Sequence, residues 1–145
     1  MVLENEQSRL AISILDYEES GAINSDDRNT LLVSIEVEHE GKSSIVTAPV
    51  IATHELSALA NWFEKMAAGR RTEPVVLLEP CLFFDCTNCT TELFQVLVRM
   101  EAEASPTWTN YHAEPFAMYF QLTSEQMAES ARALRQLHLN YPTQR

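Results

Sequence analysis

The chain has 145 residues, 46% of them hydrophobic, which is enough to bury one continuous core without disulfide or metal staples, so residues 1–145 are read as a single domain. Its 21 acids against 10 bases leave a formal net charge of −11. A field of that sign repels phosphate backbones and anionic lipid and draws basic partners, which argues against direct contact with nucleic acid or membrane, although solubility alone would favour the same surplus. Met1 to Arg9 lacks the basic-then-apolar run of a signal peptide, and no apolar stretch approaches spanning length. A cytoplasmic location is expected, with Cys81, Cys86 and Cys89 as reduced thiols.

Leu10, Ile12 and Ile14 alternate with Arg9, Ala11 and Ser13, the period of a strand with one face on a core. The polar stretch from Tyr17 to Asn29 is rich in turn formers and predicts a long surface loop. Alternation resumes with Leu31, Val33, Ile35 and Val37 facing one way and Ser34, Glu36 and Glu38 the other. Glu40-Gly41-Lys42 then closes a hairpin into a strand running through Ile45 and Val46 to Ile51. The period changes at Leu56, Leu59, Ala60, Phe63, Met66 and Ala67, which form one helical stripe with Thr53 as N-cap and Gly69 as stop. Strand character returns in Val75 to Leu78, Leu82 to Phe84 and Phe94 to Met100, with Asn88 in the turn between the last two. A second long loop, Glu103 to Glu114, precedes the strand Phe116, Met118, Phe120, Leu122. The last helix opens on the capping box Thr123-Ser124-Glu125-Gln126 and carries Met127, Ala131, Leu134 and His138 on one face.

Strands followed by a Thr-capped helix occur twice, which fits a duplicated β-β-β-α unit. It equally fits coincidence, since any helix after a strand needs a cap. The fold class is α+β, a curved and mainly antiparallel sheet with two amphipathic helices on one side.

The residues offer little to catalysis. Three glycines cannot build a phosphate cradle, and neither a Gly-x-Ser-x-Gly elbow nor a His-Glu-x-x-His helix is present. Cys86-Thr87-Asn88-Cys89 has the two-residue gap that aims two thiolates at one zinc, but Cys81 points to the other face of a regular strand and a closed site needs four ligands. Neither metal nor cofactor is therefore expected. Glu36 and Glu38, with Glu40 continuing the row, are a pair that a glycosidase or cation site would use, and a hydrated strand face looks the same. His39, His54, His112 and His138 are scattered, and His138 suits a helix C-terminus. Trp108 and Tyr111 stand among polar loop residues, either as interface anchors or as plugs folded over the sheet.

Several short motifs carry a resemblance over nearly the whole chain. They are an opening strand ending in Tyr17-Glu18, an Asp-containing loop leading into Leu31 to Glu38, and Thr53 to Leu56 entering a helix with Trp62 and Phe63. Leu78-Glu79-Pro80-x-Leu82-x-Phe84, Phe120-Gln121-Leu122-Thr123 and Tyr141-Pro142 complete the set. In these the chain resembles the WapI-type immunity proteins, small bacterial antitoxins. It departs from them in lacking aromatics in Ser25 to Thr30 and in a terminus one residue longer after Tyr141-Pro142.

The resemblance implies a non-enzymatic protein that binds and blocks a cognate toxin, often a nuclease, and an acidic inhibitor suits a basic toxin domain. The partner-binding residues expected are Glu18, Glu19, Asp26, Asp27, Glu36 and Glu38 for steering, with Trp108 and Tyr111 as anchors. The rival reading is a structural or regulatory interaction domain acting as a homo-oligomer.

Overall fold

The computed structural model describes residues 1–18, 28–90, 92–109 and 115–144. Its elements in chain order are strands β1 (Val2–Glu4), β2 (Ser8–Tyr17), β3 (Thr30–His39) and β4 (Lys42–Ala52), and helix α1 (Thr53–Ala67). Strands β5 (Val75–Val76), β6 (Leu82–Cys89), β7 (Leu93–Met100) and β8 (Phe116–Thr123) follow, then helix α2 (Ser124–Asn140), with a single 3-10 turn at Ala102–Ala104 between β7 and β8. The strands form two four-stranded sheets in sequential order, β1-β2-β3-β4 and β5-β6-β7-β8, and every pairing is antiparallel. The α+β class with two amphipathic helices is as expected. The strands divide between two sheets, and the order that recurs is four strands and a helix, because β1 completes the first set. Val2 and Leu3 gave no periodic signal beside Glu4, Asn5 and Glu6, yet they pair with Ala11 and Leu10.

Alternation decides which face each strand buries. Leu31, Val33, Ile35 and Val37 are all inside, as are Phe94, Val96, Val98 and Met100 of β7. The β3–β4 turn uses Glu40 and Gly41 at φ 49° and 82°, the two positive dihedrals that a two-residue hairpin with the twist of its strands requires. From α1, Leu56, Leu59, Ala60, Phe63 and Met66 are buried, and Phe63 packs edge-on against Trp62 at 5.0 Å and against Phe84 of β6 at 6.3 Å. The helix that follows the first sheet thus reaches the core side of the second. Met127, Ala131 and Leu134 of α2 belong to the same buried cluster. Between the helices, Arg135 donates from Nε and Nη2 to the two oxygens of Glu64, both at 2.8 Å, and from Nη2 to Asn61 Oδ1 at 2.6 Å. This fork holds the Glu64 carboxyl below its ordinary range.

Several local expectations are corrected. Thr53 is inside α1, whose N-cap is Ala52; the Ala52 N–H is taken by the Glu55 carboxylate at 2.9 Å, while the Thr53 hydroxyl meets Thr143 Oγ1 at 3.0 Å. Gly69, at φ 79°, does end the helix as expected, its N–H donating to the Met66 carbonyl. Only Val75–Val76 of the Val75 to Leu78 run is a strand. Asn88 lies within β6 opposite Gln95 instead of in a turn. Cys81 is a buried free thiol, whereas the sulfurs of Cys86 and Cys89, expected as separate reduced thiols, are brought together as a pair. Most of the loop from Tyr17 to Asn29 and the end of the loop to Glu114 lie outside the described residues.

Candidate partner-binding surface

The inward alternation of β3 throws Ser34, Glu36 and Glu38 onto the opposite face of the first sheet. Cross-strand register then lays out two rows there, Val2, Ala11, Glu36, Ile45 and Glu4, Arg9, Glu38, Ser43. Arg9 stands among three acids, its Nη1 3.8 Å from Glu36 and its Nε 3.8 Å from Glu4. Exposed pairs at this distance contribute about 0–1 kcal/mol, so they leave the face acidic without fixing it. Ile45 is 65% exposed and Val2 47%, giving the acids apolar neighbours.

The expected steering residues are only partly brought together. Glu36 and Glu38 share this face. Glu18 is at its far end, where its N–H donates to the Thr30 carbonyl at 2.9 Å, roughly 26 Å along β3 from Glu38 at ~3.3 Å per residue. Glu19, Asp26, Asp27 and Tyr111 lie outside the described residues. Trp108 is half-buried and packed on the core, its ring edge-on to Phe116 at 5.6 Å. Phe116 in turn meets His39 at 5.3 Å, and His39 Nδ1 is 2.6 Å from Ser8 Oγ. The Thr107 N–H donates to Ser44 Oγ at 2.9 Å, so this segment is fastened to β4. Trp108 is set at the same end of β3 as Glu38.

The second sheet has an outer face that the sequence reading passed over. Val76, Phe83, Arg99 and Ala117 form one row across it and Asp85, Leu97 and Tyr119 the next. The Arg99 guanidinium lies 4.2 Å from the Phe83 ring centre, and its Nε is 3.2 Å from Glu101 in an ion contact that is not aligned as a hydrogen bond. Tyr119 is 51% exposed and Val76 64%. Tyrosine, arginine and an aromatic on one exposed face have the composition of interface anchors. The signal was the parity: Phe83, Leu97 and Tyr119 are large residues at positions opposite to the core. A groove of about 530 Å³ adjoins this face, lined by Glu4, Glu6, Gln95, Tyr119 and Gln121 among others, and Asn5 Nδ2 donates across to the Tyr119 carbonyl at 3.1 Å. The outer faces of the two sheets meet at this acidic groove.

Elsewhere the polar groups are engaged in structure. A cavity of about 220 Å³ holds His54, Glu55 and Glu79, but the two oxygens of buried Glu55 accept from the Ala52 N–H at 2.9 Å and the Leu78 N–H at 2.8 Å. The Asn29 side-chain amide accepts from the Gln144 N–H at 2.7 Å and donates to the Gln144 carbonyl at 3.1 Å, and the Tyr17 hydroxyl donates to the Pro142 carbonyl at 2.6 Å, which binds the C-terminal segment back onto β2 and the residue before β3. Among the described residues, no three His, Cys, Asp or Glu side chains are grouped to hold a metal ion, and no helix is long and apolar enough to cross a membrane.

The fold and these surfaces define an α+β protein in which four antiparallel strands and a helix occur twice and two sheet faces are open to solvent. A family model described as the immunity protein WapI-like family matches residues 1–142, and the chain belongs to that family. Neither a curated protein nor a solved structure matches it.

Proposed function

We propose that the protein neutralises a cognate bacterial toxin by binding it directly in the cytoplasm of the cell that carries it, without catalysis. The observation that carries this reading is the family match over residues 1–142. Charge supports it: with −11 overall, the face bearing Glu4, Glu36 and Glu38 suits a basic toxin domain, and a nuclease is the class whose own substrate demands such a surface. Glu18 adds to the steering field from the other end of β3, and the acids Glu19, Asp26 and Asp27, which lie outside the described residues, add their charge. Trp108 serves by seating the segment that leads to Tyr111, and the exposed Tyr119 with Phe83 and Arg99 provides further anchor chemistry.

The test is kinetic, against any toxin domain found encoded beside this gene. Reversing Glu4, Glu36 and Glu38 to Lys should slow association on the order of tenfold and flatten its dependence on salt, with the dissociation rate little changed. An association rate equal to that of the wild type would remove the steering role. A homo-oligomer that binds no toxin would favour the structural reading.

A further inference from the structure

In a regular strand, residues three apart face opposite sides, so Cys86 and Cys89 should not meet. Within β6 the register shifts between Cys86 and Asn88, which leaves Thr87 out of the ladder. The extra residue restores parity. Cys86 pairs with Val96 and Cys89 with Phe94, two residues apart on β7 and both buried, so both cysteines lie on the core side of the sheet at its open end. Their Cα atoms are 6.5 Å apart, inside the range a disulfide spans, and both side chains are only half-buried. Thr87 and Asn88, between them, are exposed, so the pair is within reach of a small molecule. Cys81 is the internal contrast: it is buried, and burial pushes its thiol pKa up, which withholds the thiolate that exchange requires.

We propose that Cys86 and Cys89 are a reversible dithiol–disulfide site, created by the β6 bulge and open to exchange with low-molecular-weight thiols of the glutathione type. In reduction, one thiolate attacks a sulfur of the Cys86–Cys89 bond, giving a mixed disulfide and releasing the other cysteine, which takes up a proton. A second small thiolate attacks the small-molecule sulfur of that mixed disulfide and frees the remaining cysteine, which is protonated in turn. The protein gains two electrons and two protons, and two small thiols become one disulfide. Oxidation by the small disulfide is the reverse. The covalent tie joins the two sides of the bulge, so its state sets how firmly the end of β6 is held against β7.

The full chain is equilibrated in buffers of reduced and oxidised glutathione over a range of ratios, quenched with acid, denatured, alkylated and weighed intact, with peptide mapping to assign each label. In the oxidised buffers one alkyl group per chain is expected, on Cys81. In the reduced buffers three are expected, with a two-electron transition between the two states. Cys86→Ser should take up one glutathione on Cys89 in the oxidised buffer, since the resolving sulfur is gone. Amide exchange of the wild type over residues 86–96 should rise on reduction while the first sheet is unaffected. Three alkyl groups at every ratio, or glutathione adducts on the wild type in place of the internal bond, would overturn the proposal.

Discussion

Phe63→Ala tests whether the helix of the first half supports the sheet of the second. The side chain is fully buried, with edge-on ring contacts to Trp62 at 5.0 Å and Phe84 at 6.3 Å. Loss of a buried phenylalanine side chain forfeits about 1.5–3 kcal/mol of transfer free energy, the cavity left behind adds to this, and each aromatic pair is worth about 0.5–1.5 kcal/mol beyond area. A destabilisation of about 4 kcal/mol follows, against a total of about 5–15 kcal/mol for a domain. The variant should therefore fold but unfold early. With a urea slope of about 2 kcal/mol per M, the midpoint should fall by about 2 M at unchanged slope. Circular dichroism is the appropriate signal, because the neighbouring Trp62 changes its surroundings in the variant. Since Phe63 and Phe84 come from different halves, near-ultraviolet and far-ultraviolet signals should shift together. A midpoint change below about 0.5 M, near 1 kcal/mol by the same slope, would mean that α1 is not packed on the second sheet.

Glu55→Ala removes the buried carboxylate that accepts from the Ala52 and Leu78 N–H groups and should cost about 1–3 kcal/mol in the same titration, with Glu55→Gln recovering part of it. Asn29→Ala unfastens Gln144 and should cost about 1–3 kcal/mol while carboxypeptidase trims the C-terminal residues faster than in the wild type. The carboxyl of Glu64 is held below its ordinary value of 4.5 chiefly by the hydrogen bonds from Arg135. A lowered folded-state value stabilises above the unfolded value and loses that stabilisation as pH falls through it. Accordingly, the wild type should be more stable than Glu64→Gln at pH 7, and the difference should shrink progressively below pH 4.5 in thermal melts taken across that range.

Much of the fold was visible in local pattern, because Leu56, Leu59, Ala60, Phe63 and Met66, and the alternating residues of β3 and β7, are buried as their periods dictate. What local pattern does not contain is which distant group competes for a polar atom. Thr53 has the chemistry of an N-cap, yet its hydroxyl is taken by Thr143, 90 residues away, and Glu55 satisfies the helix start instead. Bulges are similarly hidden: nothing in Cys86-Thr87-Asn88-Cys89 states that Thr87 drops out of the ladder, so Asn88 read as a turn and the cysteines as reduced thiols. Parity calculations also could not tell one sheet from two, since the edges that end a sheet are set by tertiary contacts.

The candidate surface was legible in part. Alternation alone put Glu36 and Glu38 on the outward side of β3, whereas the packing of Trp108 on Phe116 has no local signal. Tyr119 and Phe83 were there to be found, as large residues on the solvent parity of strands whose other parity makes the core.

The measurement that bears most directly on the central claim is a titration of the purified protein with any toxin domain found encoded beside its gene, paired with a toxicity assay in cells producing that domain. The account predicts a one-to-one complex with a Kd of about 10⁻⁷ M or tighter and growth restored when the two are co-produced. No heat or signal of binding at micromolar concentrations, together with cells killed as readily in the presence of this protein as in its absence, would contradict it.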